Sequence, residues 1–161
     1  MRALLAASGL AAVPIAARAN AAFTQTDRPL DLRFRTLEGD DVRLADLHGY
    51  GVWLNFFTTW CPGCCSETPA IVDMARANFA RGLRVVGVSV DERDEVVRSF
   101  RSRFGIGYPL AIDPRGHVFG SLNLEDLPYS IFLDRAGVAR SARAGELSRP
   151  AMQTLIDAIV A

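Results

Sequence analysis

The chain has 161 residues, half of them hydrophobic and 22% charged, which is enough apolar mass for one packed domain and excludes a disordered polymer. Eighteen basic and eighteen acidic residues cancel, and no basic stripe with interleaved aromatics exists to hold nucleic acid. Every basic residue is Arg, which reads as a composition bias more readily than as a phosphate-binding device.

The first stretch has the layout of an export signal. Met1-Arg2 is a short positive start, Ala3 to Ala17 is a small-residue apolar run, and Ala17-Arg18-Ala19 is an A-x-A cleavage pattern. The expected organisation is therefore a signal peptide over 1–19 cleaved near Ala19, a polar spacer over 20–29 and one domain over 30–161. The apolar run is short and interrupted by Gly9 and Pro14, so a spanning helix is disfavoured, with an uncleaved anchor as the alternative. Export places the chain in an oxidising compartment, the periplasm in a Gram-negative cell. Three Cys leave one over after pairing, which suits a redox tool better than a disulfide scaffold.

Leu30 to Arg35 alternates apolar and polar residues like a half-buried strand, and Glu38-Gly39-Asp40-Asp41 turns it into a hairpin partner at Val42-Arg43-Leu44. Val52 to Phe57 is apolar except at Asn55, as a central strand covered on both faces would be. A helix is expected from the following Cys pair to about Ala80, with Ile71, Met74, Ala75 and Phe79 inward and a kink at Pro69. Leu83 to Val90 reads as a second buried strand, then a charged loop leads to a helix ending at Phe104 with Val96, Val97 and Phe100 inward. Tyr108 to Ile112 reads as a short strand, Asp113-Pro114-Arg115-Gly116 as a turn, and His117 to Leu122 as a short helix. Ser130 to Asp134 and Val138 to Arg143 form a hairpin, and Ser148 caps a last helix through Val160 with Met152, Leu155, Ile156 and Ile159 buried.

The chemistry sits at Trp60-Cys61-Pro62-Gly63-Cys64, where the central strand gives way to the helix. Two thiols two residues apart can close a small disulfide and reopen it. Unpaired N–H groups and the helix dipole at such a junction favour a thiolate. Cys61, at the helix start and expected to be accessible, is therefore the candidate nucleophile, and the more shielded Cys64 the resolving thiol. A structural zinc site would need a second Cys/His pair, and only Cys65 and the isolated His48 and His117 remain, so no metal is expected. The β-α-β pattern around the pair favours redox use.

Placed on that pattern, the pair makes the chain resemble the thioredoxin superfamily, and within it the exported TlpA/ResA-like thiol-disulfide oxidoreductases. The resemblance runs from Leu30 to the C-terminus. It is carried by Leu44-Ala45-Asp46-Leu47-His48-Gly49, by Asn55 to Cys64, by Glu67 and Pro69, and by Leu127-Pro128 before Ile131-Phe132-Leu133-Asp134. It implies a thioredoxin-like α/β fold, with a central mixed sheet flanked by helices and an N-terminal β-hairpin extension. It implies a cis Leu127–Pro128 bond facing the thiols, with Trp60, Pro62, Leu127 and Pro128 as the substrate-binding surface. Asn55 stands where thioredoxins carry a buried Asp. Glu67 takes the place of a family Glu six residues after the first Cys, and is expected to raise the thiol pKa by like-charge repulsion. The resemblance further implies a periplasmic oxidoreductase for protein substrates that acts as a reductant, for example of apocytochrome c. Such a protein has no bound cofactor, works as a monomer, and is recharged by an upstream redox partner that could be membrane-bound. Two other readings compete. Cys61, Cys65 and His117 could hold copper(I) in a carrier. Thr58, three residues before Cys61, has the T-x-x-C spacing of a thiol peroxidase, although Leu54 replaces the upstream Pro of that motif.

Overall fold

A computed structural model of the chain describes residues 27–90 and 92–161, so the expected leader and most of the spacer lie outside the described residues. No helix among the described residues is long and apolar enough to cross a membrane. Seven strands form one mixed sheet: β1 (Arg33–Thr36), β2 (Asp41–Arg43), β3 (Gly51–Phe57), β4 (Leu83–Val90), β5 (Leu110–Asp113), β6 (Tyr129–Leu133) and β7 (Ala139–Ala144). Their spatial order is β2-β1-β5-β4-β3-β6-β7. Strand β3 lies between β4, parallel to it, and β6, antiparallel to it, and all seven of its residues are buried. That position explains its nearly unbroken apolar sequence.

Four helices complete the fold: α1 (Pro62–Asn78), α2 (Asp94–Phe104), α3 (His117–Ser121) and α4 (Arg149–Val160). On one sheet face, Trp53 of β3 stacks on Phe132 of β6 at 4.9 Å between centroids and packs with Ile71 of α1 and Met152 and Ile156 of α4. Farther along that layer, Phe57 stacks on Phe100 of α2 at 5.2 Å beside Cys61, Cys64 and Leu110. The opposite face carries Leu54, Phe56, Val86, Val88 and Ile131 under Phe34 of the hairpin and Phe119 of α3. Asp113 fixes α3 by accepting hydrogen bonds from the backbone N–H groups of Val118 and Phe119 at 3.0 and 2.9 Å. Helix α4 begins as expected, with Ser148 at its N-cap accepting from the Ala151 N–H.

Several local expectations are corrected. Strand β1 starts only at Arg33, Pro29 before it making an isolated bridge to Val138. Leu44 opens a short 3-10 helix after β2. Helix α1 ends at Asn78, and a 3-10 turn over Phe79–Arg81 swings Phe79 out to 60% exposure. The Phe79 ring instead shares with Tyr50 the guanidinium of Arg84, 4.0 and 3.9 Å from the two ring centres. Val96 is exposed, because Val97 and Phe100 already fill the inward stripe of α2, and Leu155 is half-buried at the edge of α4. Pro69 lies inside α1 without dividing it: the helix is one segment from Pro62 to Asn78.

The start of β3 has no room for a side chain. A Cβ on Gly51 would come within 2.7 Å of the Ile159 carbonyl oxygen, so the last turn of α4 would have to move. Gly51→Ala is therefore expected to lower stability by about 1–3 kcal/mol, the usual scale of overpacking. Urea unfolding checks this, and an unchanged midpoint would show that the α4 end gives way freely.

Candidate functional site

At the end of β3, Thr58, Thr59 and Trp60 carry the chain to α1. Cys61 is the N-cap, its backbone extended at φ −71°, and its Sγ accepts a hydrogen bond from the Cys64 N–H at 3.3 Å. Pro62 follows, exposed and well suited to the first helical position because no N–H is needed there. The loop is tied down by Glu92, just past β4. The Glu92 carboxylate accepts from the Thr59 N–H at 3.0 Å, from the Thr59 hydroxyl, and from the Ser89 hydroxyl at 2.5 Å.

Both thiols are free, and both are more enclosed than the sequence suggests: Cys61 is 7% exposed and Cys64 1%, while Trp60 is 74% exposed. The nucleophile expected to be accessible is thus nearly enclosed, beside a projecting indole. The order of shielding is the expected one. Burial pushes the Cys64 thiol far up, its hydrogen bond with Cys61 and the negative charges of Cys61 and Glu67 adding to the effect, with a backbone hydrogen bond at Thr58 opposing.

Glu67 lies one turn further along α1 and is 2% exposed, not a solvated helix residue. Its Oε1 accepts from the Asn55 amide at 3.0 Å and its Oε2 from the Leu147 N–H at 3.1 Å. The Asn55 amide also reaches the Ser130 hydroxyl at 3.4 Å, which in turn accepts from the Trp53 indole N–H at 2.8 Å. Burial pushes the Glu67 carboxyl up to about 7; the hydrogen bonds from Leu147 and Asn55 oppose this and the charge of Glu146 adds to it. Tyr108 fits over Gly87, where a Cβ would meet its ring at 3.3 Å. Burial, with the Glu67 charge adding, raises its phenol pKa.

The Leu127–Pro128 bond is cis, as expected. Pro128 is buried against the thiol motif: a Cβ on Gly63 would lie 3.3 Å from Pro128 Cδ. Leu127 beside it is half-buried, and the Pro128 carbonyl accepts from the Gly145 N–H at 2.8 Å. The structure therefore brings Trp60, Cys61, Pro62, Cys64, Glu67, Leu127 and Pro128 to one end of the sheet. His117 is exposed at the start of α3, and among the described residues no three His, Cys, Asp or Glu side chains stand close enough to share a metal ion. The copper(I) set of Cys61, Cys65 and His117 is thus not assembled. Cys65 is half-buried, its thiol donating to the Thr59 carbonyl at 3.4 Å. The Thr58 hydroxyl is buried without a partner, and Leu54, in place of the peroxidase Pro, is wholly buried in β3.

A model of the AhpC/TSA family matches residues 22–142. The chain belongs to that family. Within it, the thiol-disulfide oxidoreductase ResA of Bacillus thuringiensis (strain Al Hakam) is 31% identical over 123 residues, covering 76% of this chain and 71% of the relative. ResA of Geobacillus kaustophilus (strain HTA426) is 30% identical over 129 residues, covering 80% and 74%. Among solved structures, a thiol:disulfide interchange protein of the thioredoxin family from Chlorobium tepidum TLS matches with a TM-score of 0.75 at 26% identity, over 86% of this chain and 98% of that one. The fold is thioredoxin-like, and the family member described here is a thiol-disulfide oxidoreductase of the ResA type.

The family resemblance pointed to Glu67, and Asn55 stood out as a break in an apolar run. Ser130, Leu147, Glu92 and Glu146 were missed. They meet the site only through pairings distant in sequence, and an ordinary Ser or Glu in a loop carries no local signal of that.

Two measurements test the electrostatics. Alkylation of the reduced protein near neutral pH is expected to modify Cys61 before Cys64, whose thiol is held protonated; Cys64 reacting first would reverse the assignment. For Glu67, folding raises the pKa from 4.5 to about 7, so the fold favours the neutral carboxyl. That contribution is fully present below about pH 4.5 and is lost as pH rises through about 7. Its size is on the order of 3 kcal/mol. Glu67→Gln should flatten this decline in denaturation curves taken from pH 4 to 8, and parallel profiles for parent and variant would contradict it.

Proposed function

We propose that the chain is an exported, periplasmic reductant of protein disulfides, with Cys61 and Cys64 as its whole redox centre and no cofactor. The Cys61 thiolate attacks a substrate disulfide. A mixed disulfide forms and the first substrate sulfur leaves as a thiolate, which takes a proton from solvent. Cys64 then attacks Cys61 Sγ, the mixed disulfide breaks, and the second substrate thiol departs; two electrons have passed from the dithiol to the substrate. Glu67, titrating near neutrality one turn from Cys64, takes the Cys64 proton in the second step and returns it to solvent or to the leaving thiolate. Trp60, Pro62, Leu127 and Pro128 form the docking surface. The Leu127 backbone lies just beyond the β6 ladder, whose last rung there pairs Tyr129 with Phe56, so an extended substrate segment has main chain to pair with. The oxidised cysteine pair of apocytochrome c is the substrate suggested by the resemblance to TlpA/ResA-like proteins, and a membrane redox protein is the matching electron source.

The observation that carries the direction is the burial of Cys64 beside Glu67. A dithiol oxidises others strongly when its reduced form is stabilised as thiolate. Here burial and a carboxylate oppose negative charge at Cys64, which favours giving electrons away. The midpoint potential against glutathione should accordingly lie nearer the thioredoxin value of about −270 mV than the DsbA value of about −120 mV. A value close to that of DsbA would defeat the reductant reading. Cys64→Ser should accumulate mixed disulfides through Cys61 in cells, and Cys61→Ser should form none; trapping by Cys61→Ser alone would exchange the two roles.

A further inference from the structure

Glu146 lies on the loop between β7 and α4, exposed to solvent beside the thiol motif. Its Oε1 accepts from the Ser66 hydroxyl at 2.7 Å. The Cβ that Gly63 lacks would sit 4.0 Å from its Oε2 and 3.3 Å from Pro128 Cδ. The carboxylate thus overhangs the first turn of α1 on the side where Pro128 faces Gly63. Ser66 is neutral, and none of the ion pairs among the described residues includes Glu146. Of the cations nearest in sequence, Arg143 turns to the Ala142 carbonyl at 2.8 Å and Arg149 pairs with Asp73 at 2.6 Å. The charge of Glu146 reaches inward as well, adding to the rise in the Glu67 pKa. Glu125, two residues before Leu127, is also exposed and has the same sign.

We infer that Glu146 is a specificity-determining residue, selecting thiol and disulfide partners that carry Arg or Lys beside the reacting cysteine. The inference rests on Cys61 as nucleophile and on the Leu127-Pro128 docking surface. A substrate segment laid along that surface with its sulfur at Cys61 passes over the contact between Pro128 and the first turn of α1, within reach of the Glu146 carboxylate. A cation there finds an anion with no other charged partner; an acidic side chain meets repulsion. Because the pair is exposed, the discrimination is modest, about two- to fivefold, and falls with added salt.

The test uses the reduced full-length protein and three synthetic peptides with one Cys each, activated as the mixed disulfide with 5-thio-2-nitrobenzoate. They differ only in having Arg, Gln or Glu next to that Cys. Attack by Cys61 on the peptide sulfur transfers the peptide to Cys61 and releases the coloured thiolate, which reports the rate. The expected order of second-order rate constants is Arg over Gln over Glu, compressed in 0.5 M salt. Glu146→Gln should bring the Arg-to-Glu ratio to about one, and Glu146→Arg should invert it, with the Gln peptide as the reference for each variant. Equal rates on all three peptides, or a preference that survives Glu146→Gln, would overturn the inference while leaving the oxidoreductase intact. Colour release that persists in Cys61→Ser would instead bring down the assignment of the nucleophile, and the inference with it.

Discussion

Much of this molecule depends on one buried carboxylate. Glu67 is taken out of water inside α1 and is held by an amide from β3 and a main-chain N–H from the loop leading to α4. A carboxylate so enclosed is tolerable only if it is hydrogen-bonded, and even then its charged form is penalised. The two donors fix where α1 sits on the sheet and where the β7–α4 loop crosses it. That crossing sets Glu146 against Ser66 and Gly63, and the same packing brings Pro128 to the same side of Gly63. The electrostatic character of the thiol pair and the shape of its surroundings thus have a common origin.

The elements of the fold were largely legible because their signals are local. Strand β3, with its apolar run, and β4, with its β-branched residues, were read to within a residue, and the Ser148 cap marked the start of α4. The errors came where tertiary packing chose among locally similar options. Phe79 has helical spacing, but helix α1 gives way to a 3-10 turn at that residue, and its ring covers Arg84 instead of the core. Val96 and Val97 are equivalent in composition, and only the angle at which α2 meets Leu110 and Phe57 leaves Val96 outside.

The site was legible where a motif carries its own chemistry. Two Cys at that spacing, a strand-to-helix junction and a Pro before a strand each announce a role in a few residues. Ser130 and Leu147 do not. The first matters because β6 pairs antiparallel to β3, which puts Ser130 opposite Asn55; the second because a loop nearly a hundred residues from Asn55 crosses the end of α1. Glu92 belongs to the same class: it was one charge in an acidic loop until the parallel pairing of β3 with β4 placed it under Thr59.

The residue at position 55 shows why the arrangement has this composition. With Glu67 buried 3.0 Å from it, an Asp at position 55 would place two carboxylates in contact away from water, and they could not both ionise. Asn55 is isosteric with Asp but supplies N–H donors, directed to Glu67 and to Ser130. Of positions 55 and 67 only the second therefore carries a carboxyl, placed one turn beyond Cys64, where an Asp at position 55 would have brought another acid from β3. Moving the acid from the strand to the helix carries a further consequence. The carboxylate now shares α1 with the thiol whose charge it disfavours, so any shift of the helix moves both together, and their coupling is set within one element instead of by the packing between two.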